Sequence, residues 1–322
     1  MRNVTEGHRI AVLGTGGTIG NTAAGRIPIE RLVADLEAQG AAGLPSLDVQ
    51  EARRIAGSAM TPADWLAIAA QAQALLDRSD IAGLVVTHGT FTAEETAWFL
   101  NLTLETVKPV ALTCAQRKHD AIGNDGDRNL LDAIAVVQDG STAGAGVVVV
   151  VDQAIHAARD VVKLSQHPGG FGSRDRGPLG TLEDGEIEVY RQLTRRSTAR
   201  SELTRPSESN QLPRVDIVET YAGADGVAID AFVEAGARGI VVNGFPYSGK
   251  PTETQLEGIV RAQASGCAVV LTNRGGSGRV PAAGAAPAIG GDSLTAAKAR
   301  ILLMLALGAG LGSDLARIFA EY

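Results

Sequence analysis

Apolar and polar positions divide the first half of the chain into short strand-like runs separated by longer amphipathic segments. Runs rich in valine, leucine and isoleucine predict strands at residues 9–13, 47–51, 83–86, 109–113 and 146–151. Between them, apolar residues recur at helical spacing and predict helices at residues 28–38, 62–77, 93–102 and 127–137. Because strands alternate with helices, we expect a parallel sheet covered by helices on both faces.

The pattern changes after residue 154 and later resumes. Asp184 and Gly185, between two short β-like segments, predict a hairpin, and the Ser-, Thr- and Arg-rich stretch 194–213 predicts an interdomain linker. Alternation then returns, with strands predicted at residues 215–218, 239–242 and 268–271, helices at 226–235, 253–263, 294–306 and 314–320, and a loop at 275–291. We therefore predict an α/β fold with a larger N-terminal parallel-sheet domain (residues 1–193) and a smaller C-terminal α/β domain (214–322).

Composition narrows the classes of partner. The chain has 322 residues, 45% of them hydrophobic and 20% charged, and a net charge of −7. The acidic balance argues against a nucleic-acid partner, and no apolar run is long enough to span a membrane. Residues 1–8 are polar and lack the apolar core of a signal peptide. The two cysteines, Cys114 and Cys267, are expected to be buried free thiols, so we expect a cytoplasmic protein.

Two threonine-bearing turns follow strands of the predicted sheet. Residues 15–18 (Thr-Gly-Gly-Thr) follow the first strand, and residues 87–90 (Thr-His-Gly-Thr) follow the third. Open α/β sheets bind ligands at the carboxyl ends of their strands, so these turns mark the expected site. A threonine beside exposed backbone N–H groups can act as a nucleophile with an oxyanion hole nearby.

A dinucleotide site fits the first turn poorly. The phosphate-binding fingerprint needs glycine where this chain has Ile19, and no acidic residue ends a second strand about 20 residues later. A tight turn that needs small residues explains the glycines but not the two threonines. No cluster of side chains has metal-ligand spacing, and we expect neither a metal nor a cofactor.

At these turns the sequence resembles the bacterial L-asparaginases, threonine-dependent amidohydrolases with T-G-G-T-I and T-H-G-T-D-T-x-E-E-T-A signatures. Further matches follow in the family's order over nearly the whole chain, at residues 108–117, 125–130, 158–163, 177–180, 235–241 and 294–303. The resemblance implies two α/β domains and hydrolysis of a small amide through an acyl-enzyme. It also implies a homo-oligomer, a dimer or tetramer, with sites near the subunit interface.

The family's functional residues carry over position by position. Thr18 matches the nucleophile, Thr90 the second catalytic threonine and Lys163 its lysine partner. Substrate contacts fall on Gly57, Ser58 and Ala59, in a loop that resembles the family's I-D-S-x-x-M-T, and on Gly89 and Phe91.

The match departs from the family at several positions that handle the substrate. Phe91 replaces the aspartate that grips the α-ammonium group, and Gly57 takes the place of the serine that holds the α-carboxylate, although Ser58 can substitute for it. The family's mobile-loop tyrosine is missing, since no tyrosine precedes Tyr190, and the loop 21–27 is short. The second-domain glutamate is also unmatched.

These losses predict a substrate without an α-ammonium group. Removing both acids would leave a buried ammonium unpaired, at a cost on the order of several kcal/mol. We therefore expect an acyl amide, a lactam or imide, or an N-blocked amino acid. A true L-asparaginase of weak activity and a catalytically silent protein that binds a small acid or amide remain as alternatives.

Three further assignments concern residues around the second turn and after the strand predicted at residues 109–113. Thr92 is expected to be the N-cap of the helix that follows, and His88 a buried structural histidine. Residues 117–120 (Arg-Lys-His-Asp) either line the pocket or form a solvated loop.

Overall fold

The computed structural model describes residues 8–39, 44–206, 211–281 and 287–322. The chain divides into two units, Met1–Glu208 and Ser209–Tyr322. The first unit contains strands β1 (Arg9–Gly16), β2 (Asn21–Thr22), β3 (Gly25–Arg26), β4 (Leu47–Ile55), β5 (Ile81–His88), β6 (Val110–Cys114), β7 (Val147–Val151), β8 (Ala154–Ala157), β9 (Val162–Lys163), β10 (Phe171–Gly172), β11 (Gly180–Glu183) and β12 (Glu186–Val189). Its helices are α1 (Ile29–Ala38), α2 (Pro62–Leu76), α3 (Ala93–Thr103) and α4 (Gly126–Asp139).

An eight-stranded sheet organises the first unit, in the order β12-β11-β8-β7-β6-β5-β1-β4. From β4 to β7 neighbouring strands pair in parallel, which confirms the predicted parallel-rich sheet. Beyond β7 the pairing is antiparallel. The hairpin predicted at Asp184 and Gly185 joins β11 to β12.

Helices cover both faces of this sheet. Apolar side chains of α1 and α4 share one buried cluster with alternate residues of β1, including Ile10 and Val12. Helices α2 and α3 contact each other through the stacked rings of Trp65 and Phe99, whose centroids lie 5.5 Å apart. Because both faces are covered, β5, β6 and β7 are buried along their whole length and consist mainly of aliphatic residues, as parallel strands require.

The second unit repeats the α/β arrangement on a smaller scale. Strands β13 (Val215–Glu219), β14 (Gly239–Gly244), β15 (Ala268–Asn273) and β16 (Ile289–Gly290) pair in parallel in chain order. Its helices are α5 (Val227–Glu234), α6 (Glu253–Ala264), α7 (Ala296–Gly308) and α8 (Leu315–Glu321). β16 lies within the stretch predicted as a loop, and residues 282–286 of that stretch lie outside the described residues.

The polar stretch predicted as a linker begins on the first unit. The Ser201 hydroxyl donates to the carbonyl oxygen of Leu102 at 2.6 Å, and the Arg205 guanidinium donates to the carboxylates of Asp77 and Glu105. These bonds attach the start of the stretch, as far as Arg205, to α3 and to the residues that follow α2 and α3. Residues 207–210 of the stretch lie outside the described residues.

No helix in the described ranges is long and apolar enough to cross a membrane. Both cysteines are free and buried, as predicted. Burial raises the pKa of the Cys114 thiol, with a smaller contribution from the charge of Asp125.

Helix α2 begins with a capping box, a pair of reciprocal hydrogen bonds that hold the start of the helix. The Thr61 hydroxyl accepts from the Asp64 amide at 3.3 Å, and the Asp64 carboxylate accepts from the Thr61 amide at 3.0 Å. We expect Thr61→Ala to lower the free energy of unfolding by about 1 kcal/mol, measured by urea denaturation. Thr61→Ser keeps the hydroxyl and should cost less than the alanine variant.

The same box predicts a pH dependence. Burial raises the pKa of Asp64, but hydrogen bonds from Thr61 and Arg53 outweigh it and leave the pKa below its ordinary value of 3.8. A lowered pKa stabilises the fold above the unfolded value, and that contribution is lost as the pH falls through the folded value. The cost of Thr61→Ala should therefore shrink below pH 3.8. An undiminished cost there would contradict the assignment.

Candidate active site

Three glycines bring three loop segments together at the carboxyl ends of the central strands. Gly17 follows β1 with φ of 92°, and a Cβ built there would lie 2.4 Å from the Cα of Gly89, which follows β5. A Cβ on Gly89 would lie 3.0 Å from the amide nitrogen of Gly57, just after β4. The backbones of the three segments are thus in direct contact, and no side chain fits between them.

Hydrogen bonds fix the ends of these strands. The Thr15 hydroxyl is buried and donates to the carbonyl oxygen of Thr87 at 2.8 Å, and the Gly17 amide donates to the carbonyl oxygen of Ile55 at 3.1 Å. Thr15 and Thr87, the first threonines of the two turns, are therefore bonded to each other. Thr18 and Thr90, the second threonines, take no part in this bond.

Thr18 opens a short 3-10 turn, Thr18–Gly20, and is half-buried. Its carbonyl oxygen accepts from the amide of Asn21. Because Gly17 lies against Gly89, the structure brings Thr18 and Thr90 onto adjoining backbone segments, as the sequence predicted.

Lys163 reaches the second of these threonines from a separate element. It lies on β9, which pairs with β10 outside the main sheet. Its Nζ donates to Thr90 Oγ1 at 2.6 Å, and Thr90 is only 4% exposed. The contact joins residues 73 positions apart in the chain.

Phe91 presents an apolar ring beside this pair. The ring is 68% exposed, and Lys163 Nζ lies 5.0 Å from its centroid. Burial lowers the pKa of Lys163, which outweighs a smaller opposing influence of Cys114. The ring favours the charged amine by about 0.5–1 kcal/mol, which limits this lowering. Within the described ranges, no carboxylate lies at ion-pair distance from Lys163.

The loop predicted to hold the substrate forms a 3-10 turn, Gly57–Ala59. Gly57 is buried, and Ser58 and Ala59 are exposed. The Thr92 hydroxyl donates to the carbonyl oxygen of Gly57 at 3.0 Å. Thr92 occupies the N-cap position of α3, as predicted, but its side chain makes no capping hydrogen bond. The hydroxyl ties this loop to the second threonine turn instead.

His88 is fully buried, in agreement with its predicted structural role. Its Nδ1 lies 2.8 Å from the carbonyl oxygen of Gly89, an acceptor, so Nδ1 carries the proton. Burial lowers the pKa of His88 to about 4, which keeps the ring neutral at pH 7. The histidine therefore orients the peptide that precedes Thr90.

Residues 21–27 form a tight hairpin in which β2 pairs with β3. Sequence reasoning missed the groups that hold it. Asp120 and His119 both contact the hairpin, so the stretch 117–120 does more than line a pocket or face solvent. Asp125, in the matched motif at 125–130, accepts from the amides of Gln116 and Arg117 and fixes the start of that loop.

In the described part of the chain, no group of three or more histidine, cysteine, aspartate or glutamate side chains is placed so that it could hold a metal ion.

Family models match both units. The N-terminal asparaginase domain matches residues 9–195, and the glutaminase/asparaginase C-terminal domain matches residues 214–319.

Individual proteins agree with these matches. The L-asparaginase 2 of Escherichia coli is 32% identical over 313 residues, which cover 92% of this chain and 88% of that protein. The glutaminase-asparaginase of Pseudomonas fluorescens is 30% identical over 336 residues, covering 97% and 90%. The crystal structure of a probable cytoplasmic L-asparaginase from Campylobacter jejuni superposes with a TM-score of 0.90 at 34% identity, covering 98% of this chain and 100% of that one.

The glycine contact generates a stability prediction. In Gly17→Ala the new methyl group would meet the Gly89 backbone, so we expect a loss of at least about 3 kcal/mol in the free energy of unfolding. Gly144 also has positive φ, but nothing lies within 4 Å of the place that a methyl group would take there. Gly144→Ala should therefore cost only the backbone strain, about 1–2 kcal/mol. Equal losses in urea denaturation would show that the glycine contact imposes no close packing.

Proposed function

Because this chain belongs to the bacterial asparaginase family, we propose that it hydrolyses a carboxamide C–N bond through a threonine nucleophile. The observation that carries the proposal is the hydrogen bond of 2.6 Å from Lys163 Nζ to Thr90 Oγ1. Next to it, the backbones of Gly17 and Gly89 touch and bring the segment of Thr18 beside that of Thr90. The steps that follow use side chains, backbone groups and water alone.

In the proposed reaction, the Thr18 hydroxyl oxygen attacks the amide carbonyl carbon, and the hydroxyl proton passes through water to the amide nitrogen. Backbone N–H groups of the glycine-lined turns are suited to stabilise the oxyanion. Collapse of the tetrahedral intermediate breaks the C–N bond and releases ammonia after protonation of the leaving nitrogen. Water then attacks the acyl-enzyme ester, releases the acid and restores the threonine.

Lys163 and Thr90 are proposed to manage the proton in the second half of this sequence. A neutral lysine amine accepts a proton from the Thr90 hydroxyl, which in turn accepts one from the attacking water. Burial favours this neutral form because it lowers the lysine pKa. The missing carboxylate at position 91 acts in the same direction, since an adjacent negative charge would favour the charged amine.

We propose that the substrate lacks a free α-ammonium group. Phe91 places a hydrocarbon ring where the family has aspartate, and the neighbouring ionisable group is the amine of Lys163, which carries no negative charge in either protonation state. A substrate ammonium would meet an apolar surface and this amine, with no acid to neutralise it. A simple amide, a lactam or imide, and an N-blocked amino acid each avoid that cost.

The named relatives favour one competing assignment. Proteins described as L-asparaginase and glutaminase-asparaginase act on free amino-acid amides by name, so a true asparaginase of weak activity is the second candidate. A catalytically silent protein that binds a small acid or amide is the third, favoured by the loss of the site acids.

We also propose a homo-oligomer, a dimer or tetramer, whose sites lie near the subunit interface and act on small amides. A cytoplasmic location is proposed as well, in line with the Campylobacter jejuni relative, which is described as a probable cytoplasmic L-asparaginase.

A substrate panel tests both the reaction and the substrate class. Asparagine, its deamino analogue succinamic acid, N-acetylasparagine and simple aliphatic amides would be compared by ammonia release, and a lactam and a cyclic imide by ring opening, which releases no ammonia. We expect the deamino and N-acetyl compounds to have the higher kcat/KM. Thr18→Ala should lose at least about 10³-fold in kcat, because the nucleophile is removed.

Each alternative has its own outcome in this panel. A higher kcat/KM for asparagine would overturn the proposed substrate class and favour the asparaginase. No turnover above the Thr18→Ala background, neither ammonia release from the open-chain amides nor ring opening of the cyclic ones, would overturn the hydrolase and favour the silent binder.

Phe91→Asp tests the role of the ring. Restored negative charge should raise the pKa of Lys163, and since the amine acts as a base, the rising limb of the kcat–pH profile should move to higher pH by about one unit. Phe91→Leu keeps the site uncharged and serves as the control; because it removes the ring that favours the charged amine, its limb should stay in place or move to lower pH by about half a unit, opposite to the shift in Phe91→Asp. A limb that stays in place in Phe91→Asp would contradict the role of Lys163 as base.

A further inference from the structure

His119 lies between carboxylates of two helices. It belongs to the loop after β6, and its side chain is 12% exposed. Nε2 lies 3.0 Å from a carboxylate oxygen of Asp35 on α1, and Nδ1 lies 3.2 Å from one of Asp127 on α4, close enough for an ion pair but without hydrogen-bond alignment. The hydrogen bond from His119 is the largest influence that lowers the pKa of Asp35. The imidazole thus fixes this loop to the helices beneath it.

The same loop holds the hairpin that follows the nucleophile turn. The His119 backbone amide donates to the carbonyl oxygen of Asn21 at 2.8 Å. One residue later, the Asp120 carboxylate accepts from the Ala23 amide at 2.6 Å. Both bonds connect segments almost a hundred residues apart in sequence, so they restrain the hairpin from outside its own turn.

Asn21 passes this restraint to Thr18. Its backbone carbonyl oxygen accepts from His119, and its backbone amide donates to the carbonyl oxygen of Thr18. The hairpin closes behind it, since the Ile27 amide donates to the carbonyl oxygen of Gly20 at 2.9 Å. A chain of hydrogen bonds therefore runs from α1 through the loop to the proposed nucleophile, and the Asp127 carboxylate of α4 lies beside it at ion-pair distance from His119.

We propose that His119 and Asp120 are positioning residues that hold the segment 18–26, and with it the Thr18 hydroxyl, in its reactive place. The proposal rests on the proposed function, in which Thr18 is the nucleophile. Neither residue is hydrogen-bonded to Thr90 or Lys163, so their effect on the reaction is exerted through the hairpin, by His119 at Asn21 and by Asp120 at Ala23. Displacement of a reacting group by about 1 Å can cost up to roughly 10²-fold in rate, which makes such an outer support consequential.

Each supporting carboxylate has a second partner, which supplies a matched control. Asp35 also pairs with Arg31, one helical turn away, at 2.6 Å, and Asp127 accepts from the Asn124 side-chain amide at 3.0 Å. Arg31→Ala removes a partner of the same carboxylate but touches neither the loop nor the hairpin. Asp120→Asn keeps an oxygen that can accept from Ala23, whereas Asp120→Ala removes it.

The test combines steady-state kinetics with amide hydrogen exchange in the full-length protein. For His119→Ala and Asp120→Ala we expect kcat to fall about tenfold with KM changed less than about twofold, because placement of the nucleophile is affected. Exchange of the peptide that spans residues 20–26 should become faster in these two variants. Asp120→Asn should recover most of kcat, and Arg31→Ala should match the wild type in kcat and in exchange.

Several results would overturn the proposal. A kcat within about twofold of wild type in Asp120→Ala, with faster exchange of the hairpin, would show that the hairpin does not place Thr18. Unchanged exchange in both alanine variants would show that the loop does not hold the hairpin. An equal loss of kcat in Arg31→Ala would assign the effect to general destabilisation.

Failure of the proposed function is a separate result. If the wild type turns over no compound of the substrate panel, the hydrolase is wrong and the kinetic arm has no signal. Exchange then decides the anchoring alone: faster exchange confined to residues 20–26 supports it, and unchanged exchange overturns it.

Discussion

Close backbone contact among Gly17, Gly89 and Gly57 is the constraint on which the candidate site depends. Each glycine follows a different strand of the large sheet, and a side chain on Gly17 or Gly89 would separate the segments. Parallel pairing brings the strand ends to one edge, but the distance between their loops is set by the absence of Cβ atoms. The threonine turns and the loop at 57–59 can share one site only because these backbones touch.

Much of the fold follows from the hydrophobic pattern, because burial on both faces of a parallel sheet needs uninterrupted aliphatic strands with helices between them. Strand ends were less predictable. β1 continues to Gly16 and β4 to Ile55, beyond the apolar residues, because ladder hydrogen bonds to neighbouring strands continue through small and polar residues that have weak strand preference. The short strand β16 has no run of apolar residues that could predict it, because it is defined only by its pairing with β15.

The candidate site, like the fold, could be predicted from the sequence only in part. Thr18 and Thr90 stand at strand ends and could be proposed from the sequence pattern, whereas Lys163 became a candidate only through its family resemblance. The hydroxyl of Thr92 was assigned to its own helix, yet it bonds a carbonyl oxygen 35 residues away. His119 and Asp120 act through partners on α1, α4 and the hairpin. Periodicity and local propensity carry no information about such long-range polar contacts, so these contacts are known only from the three-dimensional structure.

Lys163 stands on a two-stranded ribbon, β9 and β10, that is not hydrogen-bonded to the main sheet. The residues that join the two strands, 164–170, are exposed except for the buried Gly170. Insertions or deletions in this connection can therefore alter the reach of the amine while the strands that carry both threonine turns stay unchanged. The arrangement separates the position of the Lys163 amine from that of the scaffold, because the length of this connection can change without repacking of the core.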